Sequence, residues 1–294
     1  MVTFRTLYPF TSHTFDLDGV RMHYLDEGPQ DAPPVVMVHG NPTWSFYYRT
    51  LIPELSKTHR VIVPDHVGCG FSDKPQDYPY TLEQHIQNLE RLLLSLGLQK
   101  MTLALHDWGG GIGMGFATRH PELVTRFVVF NTSAFYAPAV PFVLKLARSR
   151  GLGELIVRGL NLFSLSALVM GTSQRRRFTP EVRAGYLAPY DSWRNRIAVY
   201  RFVQDIPLST QHPTRATVDA IDARLHLFSH HPMLILWGAD DFVFTTKTFL
   251  AGWRTRFPSA EVHILENAGH YVVEDAHERI LPLMEKFLRE FPND

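Results

Sequence analysis

Cysteine is nearly missing: Cys69 is the single one in 294 residues. One thiol cannot close a disulfide within the chain, so nothing calls for an oxidising compartment. An excess of either charge is missing too. The 29 Lys and Arg residues balance 29 Asp and Glu, which leaves no electrostatic footprint for nucleic acid or an anionic membrane. The one dense basic spot, Arg175-Arg176-Arg177, reads as a solvated loop because no aromatic platform surrounds it. No basic-then-apolar leader precedes the first polar segment, so secretion is not expected. The longest apolar stretch, Leu152 to Met170, is interrupted by Glu154, Arg158 and Asn161 and is too broken to span a bilayer. Metal-ligand clusters and phosphate-binding glycine motifs do not occur, since Gly109-Gly110-Gly111 lacks a P-loop lysine. Internal repeats are absent as well. The expectation is a soluble cytoplasmic protein with no cofactor, metal, nucleic-acid partner or membrane span, its homo-oligomeric state left open.

What is present is an ordinary globular composition, 45% apolar and 20% charged. The length suits one large α/β domain or two small ones. Short β-branched runs alternate with helical patterns, the signature of a mostly parallel sheet covered by helices on both faces. The runs Pro34 to His39, Arg60 to Asp65, Met101 to Leu105, Arg126 to Phe130, Pro232 to Trp237 and Val262 to Leu265 read as buried strands. His13 to Leu17 and Arg21 to Leu25 read as a hairpin joined near Asp18-Gly19. From Thr81 to Leu96 the apolar residues Leu82, Ile86, Leu89, Leu92, Leu93 and Leu96 fall at helical spacing, and Thr81 with Gln84 forms a capping-box pattern. The alternation breaks between about Tyr136 and Phe228. That interval is helical in pattern and punctuated by prolines, and is read as a cap inserted after the strand ending near Phe130. The expected division is therefore a core over 1–135, a cap over 136–228 and a second part of the core over 229–294.

The chemistry concentrates at His106-Asp107-Trp108-Gly109-Gly110. Asp107 follows a buried strand and precedes glycines and then a helical pattern, the context of a nucleophile elbow. A carboxylate is ionised at neutral pH and attacks a saturated carbon without help from a base, forming an ester. Hydrolysis of that ester would need a water activated by a general base. Taken alone, Asp107 could equally be a helix N-cap. Downstream, His270 lies in the loop after the last strand, within Asn267-Ala268-Gly269-His270-Tyr271, and Ala239-Asp240-Asp241 closes another strand. The chain order nucleophile, acid, base is that of α/β-hydrolases. His270 would activate the water, and Asp241 would hold the tautomer of His270 and stabilise its imidazolium. Asp240 is the alternative acid, and Asp241 is favoured by its place three residues after Gly238. His39, His66, His106, His120 and His263 are read as structural.

At these residues, and over nearly the whole chain, the sequence resembles the haloalkane dehalogenase branch of the α/β-hydrolase fold. The carrying motifs are His39-Gly40-Asn41-Pro42-Thr43-Trp44, Pro64-Asp65-His66-Val67-Gly68-Cys69-Gly70-Phe71-Ser72-Asp73-Lys74-Pro75 and the elbow. The resemblance implies a mostly parallel eight-stranded sheet with a helical cap. It also implies that Asn41 and Trp108 form a halide-binding pair and supply backbone N–H groups to an oxyanion hole. Asn131 stands where one subgroup carries a Glu acid, which points to the subgroup with an Asp acid and an Asn–Trp pair. In that subgroup the β-lactone decarboxylases of bacterial olefin biosynthesis resemble dehalogenases, and the cap segments Arg183 to Trp193 and Gln204 to Pro207 are particularly similar to them.

The first expectation is hydrolytic dehalogenation of a haloalkane to alcohol and halide ion. The alternative is opening of an alkyl β-lactone by Asp107, with loss of carbon dioxide to leave an alkene. Either substrate is small and apolar, and Phe135, Phe142, Leu160, Phe163 and Leu168 of the cap region are expected to receive it. Epoxide hydrolysis is a third reading and would need acids such as Tyr186 and Tyr190. A non-catalytic binding protein on the same fold is the remaining one, disfavoured because all three triad members are kept.

Overall fold

The computed structural model describes residues 3–137, 141–149 and 151–291. Eight strands make one sheet: β1 (Ser12–Leu17), β2 (Val20–Glu27), β3 (Pro34–Val38), β4 (Arg60–Pro64), β5 (Met101–Asp107), β6 (Val124–Thr132), β7 (Met233–Gly238) and β8 (Glu261–Leu265). Their order is β1-β2-β4-β3-β5-β6-β7-β8. β1 and β2 form the expected hairpin, in which Ser12 pairs with Leu25. Asp18 (φ 55°) and Gly19 (φ 91°) turn it with two left-handed residues, which suits the twist of the flanking strands. β2 runs antiparallel to β4, and every neighbouring pair from β4 to β8 is parallel.

The described residues form eleven α-helices. In chain order they are α1 (Ile52–Leu55), α2 (Leu82–Ser95), α3 (Trp108–Arg119), α4 (Phe142–Ala147), α5 (Leu152–Glu154), α6 (Leu162–Met170), α7 (Pro180–Leu187), α8 (Ile197–Gln204), α9 (Pro213–Arg224), α10 (Ala251–Arg256) and α11 (Val272–Glu290). Parallel strands buried on both faces need covering on both faces, and two cores provide it. Val36, Leu103, Leu105 and Val129 pack beneath α2, α3, α9 and α10. Val35, Met37, Ala104, Val128 and Phe130 pack beneath α1 and α11. The amphipathic stripe read from Thr81 onward is α2, with Leu82, Ile86, Leu89, Leu92 and Leu93 buried. Its cap is half of the expected box. Thr81 Oγ1 accepts from the Gln84 N–H at 3.2 Å, but the Gln84 side chain donates to Asn88 Oδ1 at 3.0 Å rather than reaching back.

Helices α4 to α8 lie between β6 and β7 in the chain and roof the carboxyl ends of the strands, where open α/β sheets place their ligands. Polar ties hold that roof. Arg49 makes a bidentate pair with Glu274, both bonds 2.8 Å, and Tyr186 of α7 donates to the same carboxylate at 2.9 Å. All three side chains are buried, so removing one partner would strand a charge. Asp205, at the end of α8, accepts from the Leu82 N–H at 2.7 Å and so ties the cap to the start of α2. Burial lifts its carboxyl to about 6.

Candidate active site

β5 ends on Asp107 and α3 begins on Trp108, so no loop separates strand from helix. The change of direction falls on Asp107 itself, at φ 51° and ψ −125°, a conformation a side-chain-bearing residue rarely adopts. The turn closes only because its neighbours lack side chains. A Cβ on Gly109 would collide with the Val38 carbonyl oxygen, and one on Gly40 with the Asp107 carboxylate. The Thr132 hydroxyl donates to the Asp107 carbonyl and pins the turn from β6. Although Asp107 stands just before a helix, its side chain makes no capping bond to it. Its Oδ1 accepts instead from the Asn41 backbone N–H at 2.7 Å.

Its other oxygen faces a histidine. His270, in the loop after β8, places Nε2 3.5 Å from Asp107 Oδ2 and Nδ1 3.0 Å from Asp241 Oδ2. The two adjacent acids are placed differently. Asp241 reaches the imidazole while its Oδ1 takes the N–H groups of Val243 (2.6 Å) and Phe244 (3.0 Å). Asp240 turns to the Ser173 hydroxyl at 2.8 Å. Burial alone would disfavour the imidazolium, but the Asp241 and Asp107 carboxylates outweigh it and raise His270 to about 10. The two carboxylates thus favour the charged form of the imidazole.

Several residues outside the expected triad and Asn41–Trp108 pair hold this arrangement. His106 Nε2 bonds the His270 carbonyl at 2.9 Å, and the Phe244 ring stacks on the imidazole with centroids 5.7 Å apart. Asp275 accepts from the Gly269 N–H (2.8 Å) and the Ser173 N–H (2.9 Å), joining the His270 loop to the cap. Asn131 bridges both backbone groups of Gly238, donating to its oxygen and accepting from its N–H. It therefore steadies the end of β7 that leads to Asp241.

Asn41 and Trp108 both line a cavity over Asp107 and His270. Asn41 Nδ2 donates to the Val199 carbonyl at 3.2 Å, which occupies one of its two hydrogens. Its Oδ1 is buried without a partner among the described residues. Of the two backbone N–H groups expected around the carboxylate, that of Asn41 bonds it and that of Trp108 does not. The cavity wall is otherwise apolar, with Phe135, Val143, Leu144, Phe163, Val203 and Phe249 prominent.

The cap side chains need correcting one by one. Phe135 and Phe163 do line the cavity. Phe142 and Leu160 point outward, 78% and 56% exposed, and Leu168 is buried outside the cavity. Apolarity does not say which side of a short helix faces in: on α4 it is Val143 and Leu144 that do so. The two tyrosines considered for epoxide opening are occupied elsewhere. Tyr186 donates to Glu274 and Tyr190 to the Thr43 carbonyl at 3.2 Å, and neither lines the cavity. His39 and His66 bond each other's backbone in the core, and His120 and His263 meet Glu90 and Glu261.

Chemically, the arrangement offers a carboxylate with one oxygen held by the Asn41 N–H and the other facing His270, beneath an apolar chamber lined at its floor by Asn41 and Trp108. Residues 33–276 match the family model for the alpha/beta hydrolase fold. The chain is 47% identical over 291 residues to a cis-3-alkyl-4-alkyloxetan-2-one decarboxylase of Shewanella oneidensis, covering 97% of this chain and 90% of that protein. It is 32% identical to haloalkane dehalogenase 2 of Mycobacterium tuberculosis, covering 96% of each. Among solved structures, a loop variant of a haloalkane dehalogenase from Bradyrhizobium elkanii superposes with a TM-score of 0.85 at 25% identity, covering 96% of this chain and 97% of the other.

Proposed function

The chain belongs to the α/β-hydrolase fold family, among the alkyloxetanone decarboxylases and haloalkane dehalogenases, and on that premise we propose that it decarboxylates cis-dialkyl β-lactones to alkenes through an ester on Asp107. This reverses the order of the two leading sequence expectations. The observation that carries it is the 47% identity to a decarboxylase across 97% of the chain, against 32% to a dehalogenase. We take 136–228 as the cap and the rest as the core.

The cavity geometry suits the chemistry. Asp107 Oδ2 attacks the ring carbon bonded to oxygen, and that C–O bond breaks with the electron pair leaving on a carboxylate. The Trp108 indole N–H and the second Asn41 amide hydrogen stabilise the departing carboxylate where a dehalogenase would hold halide. The bond to the carboxyl carbon then breaks, its electrons form the double bond, and Asp107 leaves as carboxylate. Atoms and charge balance as lactone to alkene plus carbon dioxide, with no water consumed. Backside attack followed by anti departure keeps the two alkyl groups cis. His270 acts here as a cation that offsets the charge returning to Asp107, with the Asn41 backbone N–H on the other oxygen.

Parallel assays of alkene production from a cis-dialkyl β-lactone and halide release from a bromoalkane test the reading on the purified protein. Alkene formation is expected with a kcat/KM exceeding that for halide release by about 10²-fold or more. Faster halide release, with no alkene formed, would return the protein to the dehalogenase reading.

A further inference from the structure

The exposed side of the cap carries an apolar layer that the chemistry inside does not use. Phe142 and Leu146 on α4, Leu152 and Leu155 on the next helical segment, and Leu162 and Leu165 on α6 are each between 38% and 78% exposed. These elements touch in succession. Among the described residues no single helix is long and apolar enough to cross a membrane, and the segments Leu152–Gly159 and Leu162–Met170 meet at 72°. Asn161, in the left-handed conformation at φ 54°, makes that corner.

Charge narrows what the surface is. The whole chain sums to zero, but the sum hides a local excess. Between positions 141 and 177 stand Lys145, Arg148, Arg150, Arg158 and the run Arg175–Arg177 against one acid, Glu154. Glu154 is already paired with Arg158 at 2.6 Å. Lys145, Arg175 and Arg176 are exposed and have no carboxylate partner among the described residues. An exposed apolar layer that carries the unpaired Lys145 on α4, with the unpaired Arg175 and Arg176 on the turn that follows α6 in the chain, is complementary to an anionic lipid surface. The inner sides of α4 and α6 supply Val143, Leu144, Phe163 and Met170 to the cavity. The same two helices thus face the chamber within and the apolar layer without.

We propose that this face of the cap docks the protein on an anionic bilayer, so that a two-chain apolar substrate enters and its hydrocarbon product leaves through lipid. The inference rests on the lactone reading for the choice of cargo, but the docking itself is measured without turnover. The full chain is mixed with phosphatidylcholine vesicles with or without phosphatidylglycerol and floated on a density gradient. Flotation with the anionic vesicles is expected, falling about tenfold with neutral ones or at high salt. Leu155→Glu with Leu162→Glu, and separately Lys145→Glu with Arg175→Glu and Arg176→Glu, should each reduce it about tenfold. None of these residues lines the cavity, so turnover of a short-chain lactone and the circular dichroism spectrum should stay as in the wild type. The proposal is overturned if the wild type does not float with anionic vesicles, or if both variants float as it does. A concentration-dependent dimer split by Leu155→Glu with Leu162→Glu, without flotation, would assign the face to a second copy and overturn it equally. Loss of lactone turnover in the wild type would sink the lactone reading and leave the flotation result standing.

Discussion

Asp107→Asn is expected to lower kcat on a cis-dialkyl β-lactone by about 10⁴-fold or more while leaving the fold in place. The size follows from what the amide lacks. It is neutral and a poor nucleophile, so the ester cannot form, and no neighbouring carboxylate can substitute because Asp241 is held by two backbone N–H groups and by His270. The fold should tolerate the change for two reasons. Asparagine has the shape of aspartate, so the turn at φ 51° and ψ −125° meets the same side-chain volume as in the wild type. Its oxygen can still take the Asn41 N–H that now bonds Asp107 Oδ1. Steady-state kinetics with a thermal melt checks both parts. Activity within tenfold of wild type in a folded variant would remove Asp107 from the chemistry.

His270→Ala should separate two reactions that share one first step. With a bromoalkane, Asp107 still displaces bromide. In the wild type the neutral ester no longer holds the charge on His270, which frees the imidazole to act as a base; without it nothing activates the water, so the alkyl ester accumulates on the protein. Intact-protein mass spectrometry is expected to find it at near one equivalent. With the β-lactone, release of Asp107 needs no water, so alkene should still form. It should form about 10²–10³-fold more slowly, because the cation facing the departing carboxylate is gone. Titration makes the same point in the wild type. His270 is raised to about 10 by Asp241 and Asp107, so its charge is complete at neutral pH and is lost as pH rises through that value. Alkene formation is expected to hold from neutral pH upward and to decline near pH 10 in step with that loss. A rate that instead climbs as pH rises through about 6.5, the ordinary histidine range, would mean that His270 serves as a base during lactone turnover.

Much of this was legible in the sequence, for identifiable reasons. A β-branched run bounded by turn residues has little choice but to be a strand, and the turn Asp18-Gly19 fixes its hairpin by backbone conformation alone. The elbow at Asp107 was legible because a buried strand runs into it and Gly109-Gly110-Gly111 follow, a pattern that needed His270 and Asp241 downstream before it pointed to chemistry rather than to a helix cap. Asp241 and Asp240 could not be separated by spacing. One residue decides which carboxylate faces His270, and the deciding bonds to Val243 and Phe244 are made by the backbone. The cap was harder. Its helices are short, several are apolar on both sides, and periodicity cannot tell inside from outside when both faces are greasy. Phe142 and Leu160 were assigned inward for that reason and lie outward. Asp275 and His106 act through backbone groups of the His270 loop, and such partnerships leave no pattern in the side chains. The lactone and the halide likewise ask for the same carboxylate and the same donors, so the leaving group could not be read from the motif.

The most direct measurement concerns the oxygens of Asp107. Turnover is run in heavy-oxygen water, and the peptide containing Asp107 is then weighed by mass spectrometry. Hydrolysis of an alkyl ester puts water oxygen into the Asp107 carboxylate, whereas elimination returns the carboxylate with its original oxygens. After many turnovers of the cis-lactone to alkene, Asp107 is expected to carry no heavy oxygen, and a bromoalkane control should label it. Heavy oxygen entering Asp107 during lactone turnover would contradict release of the ester without water.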